Sequence, residues 1–204
     1  MSMQDGAKRG AARRRLILAS ASPRRRSLLA AHGFAFDVAP VEVAELGPDD
    51  HEEPLAAVCE NARRKARAAF GPGIPEAVVL AADTILVLEG GWVGKPRDRA
   101  EAGRLLERLG GTVHQVATGV SLLAGGAEET FCEVTAVRIK ALGDAEIRAY
   151  HAAVDPLDKA GGYDINAHGP IPGGVVASID GSYSNVMGLP MERLVPVLER
   201  FLTA

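Results

Sequence analysis

Apolar positions along the chain fall into short continuous runs alternating with runs spaced by three and four residues, so strands and helices interleave. Leu16 to Ala19 reads as a buried strand. Ser22 then caps a helix with Pro23 at its first position, which runs to about His32 and stops at Gly33. "FAFDVAP" predicts a second strand, and "VEVAELGPDDHEEP" an acidic, turn-rich loop. From Pro54 to Phe70 the spacing predicts a strong helix, with Leu55, Val58, Cys59, Ala62, Ala66, Ala69 and Phe70 on one face. "AVVLAADTILVL" is a long strand signal, and "EGG" breaks it into a hairpin. "GKPRD" leads into a helix from about Arg99 to Leu109, closed by Gly110 and Gly111. "HQVATGVSLL" and "ETFCEVTAVRIKAL", joined by "AGGAE", predict strands of a second sheet segment. Asp144 to Ala153 predicts a short helix, "VVASIDGSYSNVMGLP" a strand, a turn and a loop, and Met191 to Phe201 the closing helix. No repeat, low-complexity tract or linker interrupts the pattern, so the expectation is a single α/β domain over residues 15–204.

Composition narrows the class. With 204 residues, 47% of them apolar, the chain can build a sizeable core without metals or disulfides. A formal net charge of -3 argues against a general nucleic-acid or membrane-surface binder. No apolar run approaches the ~20 residues of a membrane span, and "LILA" is too short for a signal-peptide core, so a cytoplasmic location is expected. The polar, basic start "MSMQDGAKRGAARRR" predicts a disordered leader over residues 1–14. Cys59 and Cys132 show neither CxxC nor Cys/His spacing and read as buried small residues in a reducing compartment.

Several segments carry candidate chemistry. "LASASPRRRSLL" sets Arg24, Arg25 and Arg26 at the start of the first helix, behind Ser20 and Ser22, whose hydroxyls can donate. Unpaired helix N–H groups beside guanidinium forks suit phosphate; the alternative is three arginines fanned into solvent. Asp83 interrupts the apolar run "AADTILV". A carboxylate at a buried position calls for a partner or a metal, which makes it a candidate ligand or general base; the alternative is a bend whose backbone donors satisfy it. "VGKPRD" holds Lys95 between a glycine and a proline, a rigid presentation suited to phosphate or an ordinary turn lysine. Lys65 lies at the border of the apolar face of its helix, from which it can snorkel into a cleft, while Arg64 points outward. "DPLDKAGGYDINAHG", residues 155–169, is a charged, glycine-rich loop in which the amide of Asn166 can read a base edge or form a turn. His114 and His168 lack a second histidine at ligand spacing and read as structural or surface groups. Basic groups for several phosphate oxygens, with carboxylates for a divalent ion, point to phosphoryl chemistry on a nucleotide.

In sequence order, "LASASPRRRSLL", "ENARRKARA", "AADTILVLEGGWVGKP", "LGGTVHQVATGV", "DPLDKAGGYDI" and "IDGSYSNVMGLP" resemble the Maf family of nucleotide pyrophosphatases, also called septum formation inhibitors, over about residues 16 to 201. The resemblance implies a Maf/Ham1 α/β fold related to the inosine triphosphate pyrophosphatases: an elongated mixed sheet flanked by helices, with two lobes around a cleft. It implies hydrolysis of nucleoside triphosphates to monophosphate and pyrophosphate with a divalent metal, Mg2+ or Mn2+. By position, Ser20 and Arg25 fall on the phosphate-binding start of the first helix, and Glu45 on an acidic residue after the second strand. Lys65 and Lys95 fall on two family lysines, and Asp83 on the catalytic carboxylate, the proton acceptor. Asp83 and Glu45 are the metal candidates, and which of them binds metal and which takes the proton is open. Arg24, Thr84 and Asn166 fall on positions that sort substrates. Arg24 and Thr84 match the dTTP/UTP branch rather than the 7-methyl-GTP branch, which carries Trp, Gln and Glu there. Asn166 stands in place of Gln, and Asp164 and Ala167 replace glycines of the usual "YGIQG". The competing expectation from another class is a non-enzymatic, nucleotide-binding regulator of cell division; Glu45 and Asp83 weigh against nucleic acid as the ligand. The resemblance also suggests a homodimer.

Overall fold

The computed structural model describes residues 13–48, 50, 53–71 and 76–203. Residues 1–12 of the expected leader lie outside the described residues. Arg13 and Arg14 are joined to the body, the first over the ring of Phe34 and the second through its backbone N–H on the Leu202 carbonyl at 2.9 Å.

The elements run β1 (Arg15–Leu18), α1 (Pro23–Ala31), β2 (Asp37–Val38), α2 (Pro54–Ala69), β3 (Ala77–Leu88), β4 (Gly91–Val93), α3 (Arg99–Leu109), β5 (Val113–Ala124), β6 (Ala127–Ile139), α4 (Asp144–Ala153), β7 (Val176–Asp180), α5 (Tyr183–Val186) and α6 (Met191–Thr203). A 3-10 turn covers Ala160–Gly162. The strands form one seven-stranded mixed sheet in the order β2-β1-β3-β5-β6-β7, with β4 paired to the outer part of β3. β1 is parallel to β2 and β3, and the other pairs are antiparallel. The expected second sheet segment is thus a continuation of the first sheet: β5 pairs directly with β3 from Val79↔Leu123 to Val87↔Gln115.

β3 and β5 each have 12 residues, long enough at about 3.3 Å per residue to pass through two lobes. At one end the sheet is covered on both faces. Leu16, Leu18, Leu80 and Val120 pack against Leu194 and Leu198 of α6, and Ile17, Val79 and Ala81 pack toward Ala66 of α2. At the other end Leu86, Val116 and Val137 pack with Leu106 and Leu109 of α3 and Ile147 and Tyr150 of α4. Strands buried on both faces explain why the runs in β1 and β3 are continuously apolar. Asp83 and Thr84 fall where β3 leaves the first lobe for the second.

Local chemistry sets the element ends. Ser22 Oγ accepts from the Arg25 N–H at 3.5 Å, Pro23 opens α1, and Gly33 follows the helix at φ 77°. α2 lies on the sheet through Ala57, Val58, Asn61, Ala62 and Ala66. Leu55, expected on that face, is exposed. The small residues allow a close approach, tightest at Gly119, where a Cβ would stand 2.4 Å from the Val58 carbonyl oxygen. The stretch after β7, expected as turn and loop, includes one helical turn, α5, capped by Ser182 Oγ on the Asn185 N–H at 2.9 Å.

Candidate active site

A cleft of ≈ 880 Å³ opens between the lobes, within the usual range for small-molecule sites. Its walls are the start of α1, the acidic loop at Glu45 and Leu46, the middle of β3, the connection from β4 through Lys95, and the loop from Asp158 to Ile165.

At its centre Asp83, only 8% exposed, is held on both oxygens. Lys65 Nζ donates to Oδ1 at 2.8 Å and Asn61 Nδ2 donates to Oδ2 at 3.0 Å. The same ammonium lies 2.5 Å from Glu45 Oε1. One lysine therefore joins two carboxylates, which lowers their mutual repulsion and fixes their separation. Asn61 also accepts from the Leu46 N–H at 2.7 Å and donates to the Leu46 carbonyl at 3.1 Å, tying the acidic loop to the helix beside Glu45. Sequence reasoning missed Asn61 because it is polar within a helix; its only signal is the i, i+4 spacing to Lys65, which puts both on one face. Arg64, expected to point away, donates to the Ala44 carbonyl at 3.1 Å and so also holds this loop, besides pairing with Glu60.

Beside this centre, Arg25 donates from Nε to the Gly188 carbonyl (3.0 Å), from Nη1 to Ser20 Oγ (3.1 Å) and the Ala82 carbonyl (2.8 Å), and from Nη2 to Thr84 Oγ1 (3.0 Å). Thr84 and Thr118 hydroxyls meet at 3.0 Å, and Thr118 donates to the Asn185 carbonyl at 3.2 Å. Every acceptor of Arg25 is neutral. Burial pulls its pKa below the ordinary value, with the charge of Asp83 opposing. One N–H of Nη2 remains over. A half-buried cation met only by neutral acceptors, under a helix start with no acidic residue in its first turn, is suited to an anion. Ser20 and Ser22 line it. Lys95 also lines the cleft, exposed, and among the described residues its ammonium makes no hydrogen bond or ion pair.

At the far end, Asp164 Oδ2 lies 3.5 Å from Arg24 Nη1 and 3.8 Å from Lys159 Nζ. Lys159 also pairs with Asp158. Asp164 is fixed by the Asn166 N–H on Oδ1 at 2.8 Å and by the Tyr150 hydroxyl, which bonds its N–H and carbonyl at 3.0 and 3.2 Å. Asn166 is not brought to the cleft. Its amide turns to the surface, accepting from the Tyr183 hydroxyl and donating to Met187 Sδ at 2.7 Å. Behind the wall, the Tyr163 hydroxyl meets His114 Nε2 at 2.8 Å. Burial lowers the His114 pKa to about 4 and raises that of Tyr163. His168 is exposed.

The fold therefore gathers Ser20, Ser22, Arg24, Arg25, Glu45, Lys65, Asp83, Thr84 and Lys95 around one cleft. Among the described residues no group of three or more His, Cys, Asp or Glu could hold a metal ion. Two convergent carboxylates are nonetheless the donor set a hard divalent cation takes from a protein when substrate phosphates and water complete its shell.

The family model described as "Maf-like protein" matches residues 15–201. A protein of Symbiobacterium thermophilum named dTTP/UTP pyrophosphatase is 45% identical over 190 residues, covering 91% of this chain and 93% of the relative. One of the same name from Anaeromyxobacter dehalogenans is 46% identical over 190 residues, with the same coverage. Among solved structures, a HAM1 protein from Coxiella burnetii matches with a TM-score of 0.53 at 20% identity, covering 91% of this chain and 98% of that one, a likeness of fold.

Proposed function

This chain belongs to the Maf family, and from that premise we propose that it hydrolyses nucleoside triphosphates to monophosphate and pyrophosphate, with dTTP and UTP preferred. The observation that carries the reading is the meeting in one cleft of a half-buried, carboxylate-free Arg25 and the Asp83–Lys65–Glu45 centre beside it. The first attracts the triphosphate and the second serves the water that attacks its α-phosphorus.

Arg25, the Arg24 N–H at the start of α1 and Lys95 hold the phosphate charge as it moves onto the departing pyrophosphate. Asp83 and Glu45 divide two duties, orienting the water and accepting its proton, while Lys65 keeps them in register. Held by Asp83 and Glu45, Mg2+ or Mn2+ would supply charge neutralisation on the triphosphate. Confining the reactants in a walled cleft converts the attack into an effectively unimolecular step.

The base preference is supported by the row Arg24, Asp164, Lys159, which presents donor, acceptor and donor at spacings of 3.5 and 3.8 Å. The edge of uracil or thymine is its complement: O4 accepts, N3–H donates and O2 accepts. Cytosine turns a lone pair at N3 toward the carboxylate. Guanine and 7-methylguanine end in an amino group that meets a cation.

The test is pyrophosphate release from dTTP, UTP, CTP, GTP, 7-methyl-GTP and 3-methyl-UTP with Mg2+ or Mn2+ and no other partner. UTP and dTTP should lead, and 3-methyl-UTP, lacking the N3 donor, should fall behind UTP by a factor that shrinks in Asp164→Gly. Asp83→Asn should lose ~10² to 10⁴ in rate with its circular dichroism intact. A folded Asp83→Asn protein keeping most of its rate would refute the assignment of the centre.

A further inference from the structure

Cys59 and Cys132, 73 positions apart in the chain, meet in the fold. Asp83, Gly119 and Cys132 stand in register across β3, β5 and β6. Directly paired residues project from the same face of a sheet, so the carboxylate of Asp83 and the thiol of Cys132 rise on one side of Gly119. α2 crosses that face. It touches Asp83 through Asn61 and Lys65, and it rests its Val58–Cys59 peptide on Gly119, where a Cβ would lie 2.8 Å from the Cys59 nitrogen. Cys59 is thereby set beside Cys132. Neither residue is fully buried.

We propose that Cys59 and Cys132 are a peroxide-oxidisable dithiol, and that their closure to a disulfide re-seats α2 and lowers turnover at the Asp83 site. Cys59 is the attacking sulfur. The S–H of Cys132 holds its pKa below the ordinary thiol value, with the charges of Arg63 and Arg193 adding to the effect against burial. The Cys59 thiolate attacks one oxygen of hydrogen peroxide, the O–O bond breaks, and hydroxide leaves to take a proton. The sulfur of Cys132 then attacks the Cys59 sulfenic acid, the S–O bond breaks, and the oxygen departs with the Cys132 proton as water. Two thiols and one peroxide give one disulfide and two waters, with the peroxide reduced and the sulfurs oxidised.

The bond fixes the sulfurs at about 2 Å. α2 cannot take up any shortening by moving inward, because its backbone already lies on Gly119. Shortening that side-chain rotation does not take up makes it slide or turn on the sheet, and Asn61 and Lys65 move with it. The bond itself is independent of the pyrophosphatase reading; its effect on turnover rests on that reading.

The experiment treats the full chain with hydrogen peroxide and follows three quantities. Free thiols, two per reduced chain, should fall to none; the intact mass should drop by two hydrogens without dimer formation; and a non-reducing peptide map should show Cys59 linked to Cys132. Pyrophosphate release from UTP should fall several-fold and return with dithiothreitol, and Cys59→Ser and Cys132→Ser should each abolish the link and the loss. Thiols that stay titratable, or over-oxidation of Cys59 without a link, overturn the dithiol. A linked protein with full turnover overturns the coupling to α2. If no form releases pyrophosphate, the functional reading fails, and the mass and map still decide the bond.

Discussion

Replacing Asn61 with leucine is the sharpest probe of how the centre is assembled. Asn61 is 1% exposed and makes three hydrogen bonds, two to the backbone of Leu46 and one to the carboxylate of Asp83. A neutral hydrogen bond contributes about 0.5–1.5 kcal/mol net and one to a charged group about 1.5–3 kcal/mol. The full sum is not lost, because Leu46 is partly exposed and its freed backbone groups reach water. A destabilisation of about 1–3 kcal/mol follows, read as a lower urea midpoint at unchanged slope. A domain with ordinary stability of about 5–15 kcal/mol stays folded through that change, so any loss of rate is a loss at the site. Asp83 keeps Lys65, but the loop that carries Glu45 loses one of its ties to α2. Displacing a reacting group by about 1 Å can cost 10²-fold, so kcat should fall about 10- to 100-fold, with KM changing less. Asn61→Asp, which sets a second carboxylate against Asp83, should fall further. An Asn61→Leu protein with the parental kcat would refute the assembly of the centre through this amide.

Three further outcomes follow from particular contacts. Gly119→Ala puts a Cβ 2.4 Å from a backbone oxygen of α2, so it should cost at least the ~1–3 kcal/mol of ordinary overpacking, and a parental Tm would contradict the packing described. His114, held near pKa 4 by burial against an ordinary 6.5, is charged more readily in the unfolded chain. Its contribution to stability is therefore present above pH 6.5 and lost as the pH falls through about 4. The loss amounts to about 3 kcal/mol, and urea midpoints across that window should show a shallower decline for His114→Gln. Lys95→Ala removes a cation with no partner among the described residues, so kcat/KM for UTP should drop about tenfold or more while the urea midpoint stays put.

What the sequence determined was local. Ser22, Pro23 and Gly33 bound α1, the long apolar run makes β3, and the alternation toward "AGGAE" makes the β5–β6 hairpin, because each depends on neighbours within one turn or one strand pair. Asp83 was legible as a candidate because a carboxylate inside an apolar strand conflicts with its surroundings, and Lys65 because helical periodicity places it at the edge of a buried face. The six motif blocks in order carried the family. Tertiary structure alone decided what lies opposite what. That β5 extends the sheet beside β3 depends on strand order, which pattern does not encode. The crossing of α2 over β3, β5 and β6 turned Asn61 into a structural tie and made neighbours of Cys59 and Cys132. The α1–β3 contact surrounded Arg25 with neutral acceptors, and the turn at Asp164 sent the amide of Asn166 to Tyr183 and Met187 while bringing Asp164 between Arg24 and Lys159. Hydrogen bonds and ion pairs act over a few ångströms in space, whereas Arg25 and Gly188, which bond at the site, are separated by 163 positions in the chain, so such pairing exists only once the sheet has been laid down.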